Sequence, residues 1–280
     1  MALVGRPNVG KSSLLNVISG TNRAIVSDLA GTTRDALDLS IVQEVDGEPQ
    51  MFRLIDTAGV RRKGKVRFGS EFFMVNRAFK AIKRSDVAVL VLDATEGLRD
   101  QDRTLAERIA EEGRAAVIVL NKWDAVVSKD DSSFNKAVSY VQDTLPALRW
   151  AEVVVTSAVT GQRTRKILGA VARAAASHKR RVSTRTLNEV LQDAVLWQAP
   201  PSGAKGGARL YYCSQVSSAP PTIVVFCNDP KLIGDGYKRY LDRKFREALG
   251  FEGSPIRFMF RGKRLREVAR VGKGRQAPNS

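Results

Sequence analysis

The segment Gly5-Arg6-Pro7-Asn8-Val9-Gly10-Lys11-Ser12 decides the fold. It fits the pattern G-x-x-x-x-G-K-[ST], and it lies between an apolar segment typical of a buried strand, Met1–Val4, and a segment of helical period, Lys11–Ser19. A glycine-rich turn in this context can wrap its backbone N–H groups around phosphate oxygens. The Lys11 ammonium is then placed to reach the β- and γ-phosphates, and the Ser12 hydroxyl to bind Mg²⁺. The sequence therefore predicts a phosphate-binding loop at the start of an α/β domain.

Strands and helices alternate through the first 178 residues. The further predicted strands are Leu37–Val45, Met51–Asp56, Val87–Asp93, Ala115–Asn121 and Glu152–Ser157. The further predicted helices are Ser70–Arg84, Asp100–Glu112, Ser133–Leu145 and Arg163–His178. This alternation predicts βαβ units and a mostly parallel sheet with helices on both faces. Because Asp46-Gly47 favours a hairpin turn, we also expect one antiparallel hairpin at the edge of the sheet.

Charge and composition change after residue 178. The chain of 280 residues carries a net charge of +17, with 20 basic and 8 acidic residues from Lys179 onward and 26 and 21 before it. The pattern there predicts helix 184–197, strands 209–216 and 222–228, helix 236–249 and strand 256–260. We therefore predict a first domain at 1–178, a small basic α+β domain at 179–270 and a disordered basic tail at 271–280. A basic module of this kind favours a polyanionic partner, although a merely solvated basic surface is the alternative.

The overall composition excludes several classes of protein. A hydrophobic fraction of 43% with 27% charged residues is that of a folded globular protein and excludes wholesale disorder. No apolar run approaches the ~20 residues of a membrane-spanning helix, so we expect no membrane partner. Two cysteines, Cys213 and Cys227, are too few for a disulfide framework and favour a reducing compartment.

A second motif, Asp56-Thr57-Ala58-Gly59, ends the third predicted strand. A carboxylate at that place can hold Mg²⁺ through water, and the N–H of Gly59 can be offered to a γ-phosphate. Since the motif follows the phosphate loop, it indicates the metal side of a nucleoside triphosphate site.

Two further motifs follow later strands and point to the base. Asn121-Lys122-Trp123-Asp124 comes after the fifth predicted strand, and Thr156-Ser157-Ala158 after the sixth. The Asp124 carboxylate can accept hydrogen bonds from both N1–H and the exocyclic amine of guanine, a pairing that adenine cannot make. Backbone N–H groups of the last motif can close over the base. The four motifs in order predict a guanine-nucleotide site at the carboxyl edge of the sheet.

This set of motifs resembles the translation-factor class of GTPases, and in finer detail the second GTPase domain of the Der (EngA) family of double-GTPase ribosome-assembly factors. The segments that carry the detail are Asp28-Leu29-Ala30-Gly31-Thr32-Thr33-Arg34-Asp35, the run from Asp56 to Lys65, and Thr160-Gly161-Gln162-Arg163. In the basic domain, the segments similar to the family's KH-like domain are 180–184, 220–222, 228–230, 237–241 and 250–257. The resemblance covers residues 2–265. It begins at the family's second GTPase domain, so we expect the first GTPase domain to be missing from this chain.

The resemblance implies a P-loop GTPase domain, a KH-like domain and a Mg²⁺-dependent GTP hydrolase with a defined set of site residues. The implied catalytic residues are Lys11, Thr33, Gly59 and Asn8. The implied Mg²⁺ ligands are Ser12, Thr33 and Asp56, and Asn8 matches the position that coordinates K⁺ in related potassium-stimulated GTPases. The implied nucleotide-binding residues are Gly5, Arg6, Pro7, Asn8, Val9, Gly10, Lys11, Ser12, Asp56, Thr57, Ala58, Gly59, Val60, Asn121, Lys122, Trp123, Asp124, Ser157 and Ala158. Val60 stands where many GTPases carry a catalytic glutamine, so we expect slow intrinsic hydrolysis.

The resemblance also implies the partners: GTP and GDP, ribosomal RNA and the large ribosomal subunit, bound by a monomer in the cytoplasm or in an organelle stroma. The basic domain contains no G-x-x-G loop between two helices, so we expect it to dock on folded RNA through phosphate contacts. The candidate contacts are Arg239, Arg243, Lys244, Arg246, Arg257, Arg261, Lys263 and Arg264. We interpret Tyr211, Tyr212, Phe226, Tyr237, Tyr240 and Phe245 as core aromatics, and His178 as a linker residue.

Two other functions stay open. One is an RNA-binding protein whose GTP site binds without efficient turnover. The other is a GTPase that serves RNA modification or membrane remodelling, although neither a modification motif nor an amphipathic membrane helix is found. An ATP-using enzyme is disfavoured by Asn121, Lys122 and Asp124.

Overall fold

The computed structural model describes residues 1–21, 23–24, 38–56, 71–127, 132–203 and 206–262. These residues form two compact units. The first contains Met1–His178 together with Glu252–Pro255, and the second contains Lys179–Phe251 with the described residues from Ile256 onward. The return of Glu252–Pro255 to the first unit is not predicted by the sequence.

Seven strands and five helices of the first unit lie among the described residues. The strands are β1 (Ala2–Val4), β2 (Arg23–Ala24), β3 (Leu39–Val45), β4 (Glu48–Leu54), β5 (Val87–Asp93), β6 (Ala115–Asn121) and β7 (Glu152–Val155). The helices are α1 (Lys11–Thr21), α2 (Glu71–Arg84), α3 (Asp100–Glu111), α4 (Ser133–Thr144) and α5 (Arg165–Lys179).

The centre of this unit is a four-stranded parallel sheet with the order β1-β5-β6-β7. Every residue of β5 and β6 is buried, as expected for parallel strands that are covered on both faces. Alternate residues of β5 point to opposite faces of the sheet and belong to two separate cores. Val89 packs with apolar side chains of α1 and α5, and Leu90 packs with those of α2, α3 and α4. The predicted parallel sheet with helices on both faces is confirmed.

The predicted hairpin forms, but in a sheet of its own. Asp46 and Gly47 both have positive φ, 52° and 84°, which a two-residue turn between β3 and β4 requires. Strands β2, β3 and β4 make an antiparallel sheet, which meets the parallel sheet at one isolated bridge between Ala2 and Ile55. Asp56, directly after Ile55, has φ 59°, and this left-handed conformation ends the extended path of the chain.

The second unit is a three-stranded sheet with two helices. Its elements are α6 (Thr184–Trp197), β8 (Ser202–Gly203), β9 (Gly206–Gly207), β10 (Leu210–Ser218), β11 (Pro221–Cys227), α7 (Asp235–Leu249) and β12 (Arg257–Gly262). Strand β11 is central, antiparallel to β10 and parallel to β12. Leu191 of α6 and Phe245 of α7 pack with Ile223 in its core. Apart from the two-residue pair β8–β9, this is the predicted α-β-β-α-β order.

The Glu252–Pro255 segment is held by the first unit through its backbone and one side chain. Gly253 N–H donates to the Trp150 carbonyl (3.0 Å), and the Gly253 carbonyl accepts from Ala116 N–H (2.9 Å). Nδ1 of His178 lies 3.0 Å from the Ser254 hydroxyl oxygen. The interpretation of His178 as a linker residue is wrong, because its side chain is buried in the last turns of α5. None of the helices in the described part of the chain is long and apolar enough to cross a bilayer.

Candidate nucleotide-binding site

The phosphate loop joins β1 to α1, and its two glycines are required by their surroundings. Gly5 and Gly10 have φ of 151° and 97°. A Cβ at Gly5 would lie 2.4 Å from the Val91 carbonyl oxygen, and a Cβ at Gly10 would lie 2.2 Å from Nδ2 of Asn121. The backbone therefore approaches β5 and the end of β6 too closely for any side chain. Asn8 is exposed in the loop, with φ 65°.

Lys11 begins α1 and turns its ammonium back into the loop. Its Nζ donates to the carbonyl oxygens of Gly5 (2.8 Å) and Arg6. Burial lowers the pKa of Lys11 to about 8, against the attraction of Asp102, which acts to raise it. A cation held in a partly desolvated loop is well suited to a polyphosphate, because the incoming negative charge stabilises the ammonium.

The Arg6 side chain anchors the loop. It is buried, and its Nε donates to Oδ2 of Asp102 (2.8 Å) while Nη1 donates to Glu96 (3.1 Å). Asp102 also accepts the Arg99 N–H at the start of α3 (3.0 Å). The guanidinium thus binds the loop to α3, and Arg6 has only its backbone to offer to phosphate. No pattern in the sequence indicates the Arg6–Asp102 pair.

The expected Mg²⁺ ligands are described only in part. Ser12 lies in the first turn of α1. Asp56 follows β4, and its two carboxylate oxygens share one bifurcated hydrogen bond from the Nε–H of Arg77 (2.8 and 3.1 Å). A hydroxyl and a carboxylate are the hard oxygen donors that Mg²⁺ prefers, so the donor set fits the ion, although the Asp56 carboxylate is held by Arg77 in this structure. The remaining predicted residues, Thr33, Thr57, Ala58, Gly59 and Val60, lie outside the described residues.

Asn121 connects the phosphate loop to the base motifs. It ends β6 and is 1% exposed. Its Nδ2 donates to the Val9 carbonyl (2.9 Å), and its Oδ1 accepts the Ala158 N–H (3.0 Å). Ser157 is buried beside it, with its Oγ accepting the Thr160 N–H (3.1 Å). The amide of Asn121 therefore fastens two loops together at one edge of the sheet.

The three residues after Asn121 face different surroundings. Lys122 has a left-handed backbone, φ 65° and ψ 31°, and its Nζ pairs with Oδ2 of Asp93 (2.6 Å). The Trp123 side chain is buried in the core on the α2–α4 face, and its backbone N–H donates to the Thr156 carbonyl (3.0 Å). Asp124 is exposed at the carboxyl edge. The turn thus buries the indole and presents the carboxylate that can recognise guanine.

Asp93 is a functional candidate that the sequence analysis missed. Burial alone would raise its pKa, but hydrogen bonds from Lys122 and Thr95 outweigh that effect and lower it, so the carboxylate stays ionised. The available signal was its position, because it ends β5 next to the strand that carries Asn121.

The structure thus brings three of the four motifs together at the carboxyl edge of the parallel sheet. The Gly5–Gly10 loop and Lys11 lie on one side of Asn121, and the exposed Asp124 with the Ser157–Ala158 loop lies on the other. This arrangement can bind a nucleotide by its phosphates and its base.

Comparisons with known proteins agree with this geometry. Residues 1–122 match the family described as "50S ribosome-binding GTPase", and residues 181–261 match "KH-domain-like of EngA bacterial GTPase enzymes, C-terminal". GTPase Der of Gloeothece citriformis is 54% identical over 272 residues, which are 97% of this chain and 59% of that protein. GTPase Der of Nostoc punctiforme is 54% identical over 279 residues, 99% of this chain and 60% of that protein.

The chain thus spans about three fifths of the length of these curated relatives. Among solved structures, Era in complex with MgGDPNP and nucleotides 1506–1542 of 16S ribosomal RNA is 21% identical, with a TM-score of 0.44 over 92% of this chain and 90% of that one. The family matches support the two predicted fold types: a P-loop GTPase fold in the first unit, and a KH-like fold in the second.

Proposed function

We propose that this chain is a GTPase of the Der (EngA) family, and that it binds and hydrolyses GTP as a switch in the assembly of the large ribosomal subunit, in the cytoplasm or an organelle stroma. The main support for the proposed GTP binding is the hydrogen bond of 2.9 Å from the Asn121 side chain to the Val9 carbonyl. It supports a single site in which the phosphate loop and the guanine-reading motif act on the same ligand. The proposed role in ribosome assembly is supported by the family descriptions and by the basic charge of the second unit.

Guanine selection is assigned to Asp124. Its exposed carboxylate follows a turn that is fixed by Trp123 in the core, so it projects from a rigid base. Changing Asp124→Asn replaces one acceptor by a donor, which should shift the preference from GTP toward XTP, whose base carries an oxygen in place of the amine. An unchanged GTP affinity in this variant would contradict the assignment.

The hydrolysis half of the proposal uses Lys11, Ser12, Thr33, Asp56 and Gly59 around the phosphates. Bound Mg²⁺, held by Ser12, Thr33 and Asp56, would supply compensating positive charge, and Lys11 adds a cation that the loop already holds in place. Asn8, exposed in the loop, is the proposed K⁺ ligand. With Val60 in place of glutamine, water is oriented by backbone or by a partner, and intrinsic turnover is slow.

The ribosomal RNA contact is assigned to the outer face of the second unit's sheet. Arg257, Met259 and Arg261 alternate along β12, and all three are exposed, whereas Phe258 and Phe260 between them pack against the core. Tyr212 stacks on Phe226 at 4.4 Å between ring centroids, and Phe226 is the register neighbour of Arg261. Both rings are half-buried and lie outside the core cluster, so the interpretation of these two as core aromatics is wrong. Cations beside a partly exposed aromatic pair suit phosphates and bases of RNA.

The predicted contacts on α7 are less available. Arg246 pairs with Asp242 (2.9 Å) and donates to the Phe251 carbonyl (3.1 Å), so its guanidinium supports the fold. Arg243 and Lys244 both pair with Glu247 (3.7 and 3.0 Å), while Arg239 is exposed. We therefore weight the RNA contact toward β12.

A second candidate function has one observation in its favour. An RNA-binding protein whose GTP site turns over poorly is consistent with the Asp56 carboxylate being held by Arg77. This candidate predicts GTP binding without appreciable hydrolysis in any salt.

The test is GTP hydrolysis by the purified chain in potassium and in sodium, with and without large ribosomal subunits. Potassium-stimulated turnover, together with GTP-dependent binding to the subunits, is the expected result. Tight GTP binding without turnover under all four conditions supports the second candidate instead.

The RNA surface is tested with R257E/R261E against R185E/K238E, which changes the same charge on exposed residues of α6 and α7. The first variant should lose subunit binding and keep GDP binding, whereas the control should keep both. Equal loss in the two variants would show that net charge alone, and not this face, carries the interaction.

A further inference from the structure

Asp93 is a buried carboxylate close to the proposed nucleotide site, where its negative charge would repel a polyphosphate. Asp93 ends β5, in register with Asn121 of β6, and is 2% exposed. Because a buried negative charge at an anion site weakens binding unless a cation compensates it, a specific arrangement must keep it there. None of the four sequence motifs contains this residue.

Every hydrogen bond that the structure shows at Asp93 comes from two neighbours. Oδ2 lies 2.6 Å from Nζ of Lys122, and Oδ1 accepts from the backbone N–H (2.9 Å) and the hydroxyl (2.6 Å) of Thr95. The Ala94 N–H donates to the Asn121 carbonyl (2.9 Å), so the two strand ends are also joined through backbone. Thr95 thus fixes Oδ1 of the carboxylate, and Oδ2 forms the ion pair with Lys122.

Lys122 needs such a support. Its left-handed backbone, φ 65°, is a conformation that a non-glycine residue adopts only at a cost in free energy. That conformation turns the chain from β6 into the short helical turn Trp123–Ala125, in which Asp124 is exposed. Whatever holds the Lys122 side chain therefore also steadies the turn that carries the guanine-reading carboxylate.

We propose that Asp93 is a positioning residue of the nucleotide site, which acts through its ion pair with Lys122 to hold the Lys122–Asp124 turn and so sets how long a guanine nucleotide stays bound. This inference rests on the proposed GTP-binding function. In this role Asp93 does not contact the nucleotide. A substitution of Asp93 must therefore leave the dissociation rate unchanged when Lys122 can no longer form the ion pair.

A double-mutant cycle on the full chain tests this dependence. The dissociation rate of a fluorescent GDP carrying its label on the ribose is measured in wild type, D93N, K122Q and D93N/K122Q. We expect D93N and K122Q each to raise the rate about tenfold, because each removes the ion pair of a buried carboxylate with a half-buried lysine and so loosens the turn. The double variant should dissociate no faster than K122Q alone.

Controls separate this role from a general structural one. E152Q removes a carboxylate that pairs with Arg173 (2.8 Å) at the start of β7, and it should leave the rate unchanged. Should D93N fail to fold, T95V on an exposed residue removes one donor to Asp93 and should give a smaller rise, which again disappears in the K122Q background.

The outcomes are distinguishable. A wild-type chain that does not bind labelled GDP overturns the proposed function itself. A wild-type chain that binds, with D93N dissociating at the wild-type rate or with the two single effects multiplying to about a hundredfold, overturns only the role of Asp93.

Discussion

Asn121 and Val9 are 112 positions apart in the chain and are joined by a hydrogen bond of 2.9 Å from the Asn121 amide to the Val9 carbonyl. The other end of the same amide accepts the Ala158 N–H at 3.0 Å. One buried side chain thus sets the spacing between the phosphate loop, the base motif and the loop that closes the site. Its identity is constrained because only a primary amide of this size donates and accepts in that way.

Replacing Asn121 separates these two contacts. N121A leaves the Val9 carbonyl and the Ala158 N–H without this partner, which should cost about 1–3 kcal/mol of unfolding free energy and weaken GDP binding more than tenfold. N121D keeps an acceptor for Ala158 but places a buried negative charge against the Val9 carbonyl, so it should be at least as destabilised as N121A in thermal denaturation. If N121A binds GDP as wild type does, Asn121 does not organise the site.

The pKa of Lys11 predicts a pH dependence of nucleotide binding. The folded value of about 8 lies below the ordinary 10.5, so between these values the unfolded chain holds more protons at this group, and the contribution of Lys11 to stability rises with pH across that window. The folded, unliganded protein favours the neutral amine of Lys11, whereas bound phosphates favour the charged ammonium. GDP binding at pH 8 should therefore take up about half a proton, and far less near pH 7.

Calorimetry in two buffers with different ionisation enthalpies measures this uptake. The binding heats should differ between buffers at pH 8 and converge near pH 7. K11R provides the matched control, since arginine stays charged and should show no uptake at either pH. Equal heats in both buffers at pH 8 would contradict the lowered pKa of Lys11.

The motifs of this site were predictable because each is local. Each feature is encoded by a few consecutive residues. The features are a loop that needs two glycines with positive φ, a strand end that carries Asn121 and a turn that exposes Asp124. The pairs Arg6–Asp102 and Asp93–Lys122 join residues 96 and 29 positions apart, and no spacing rule marks them. Trp123 lies within a nucleotide motif, but a large aromatic side chain is more often part of the core, which is where the structure places it.

The fold shows the same division. Continuous apolar runs predicted the buried parallel strands β5 and β6, and Asp46-Gly47 predicted the hairpin, because these features follow from local chemistry. The attachment of Glu252–Pro255 to the first unit joins Gly253 to Trp150 and Ala116, residues far apart in the chain, and no local pattern marks such contacts.

Arg77 should control the availability of Asp56 to Mg²⁺. It holds both carboxylate oxygens, and the pair is partly exposed, with side chains 45% and 18% exposed, so it is worth at most about 1 kcal/mol. R77A should therefore lower the Mg²⁺ concentration needed for half-maximal GTP hydrolysis by up to about fivefold. R84A, on the same helix and paired with Asp38 (3.6 Å), is the control and should leave that concentration unchanged. A higher Mg²⁺ requirement in R77A would show that the pair aids metal binding.

Gly253 provides the last prediction, on stability. It has φ 69°, and a Cβ there would lie 2.5 Å from Cβ of Ala174 and 3.3 Å from the Ala116 carbonyl oxygen. G253A should lower the unfolding free energy by about 1–2 kcal/mol for the backbone conformation and by a further 1–3 kcal/mol for the clash. Gly161 has a similar φ of 74° and open space around its Cβ position, so G161A shows the backbone cost alone. Urea denaturation of both variants measures the difference. Equal losses would mean that Glu252–Pro255 is not packed against α5 in solution, because the clash exists only where Gly253 meets Ala174.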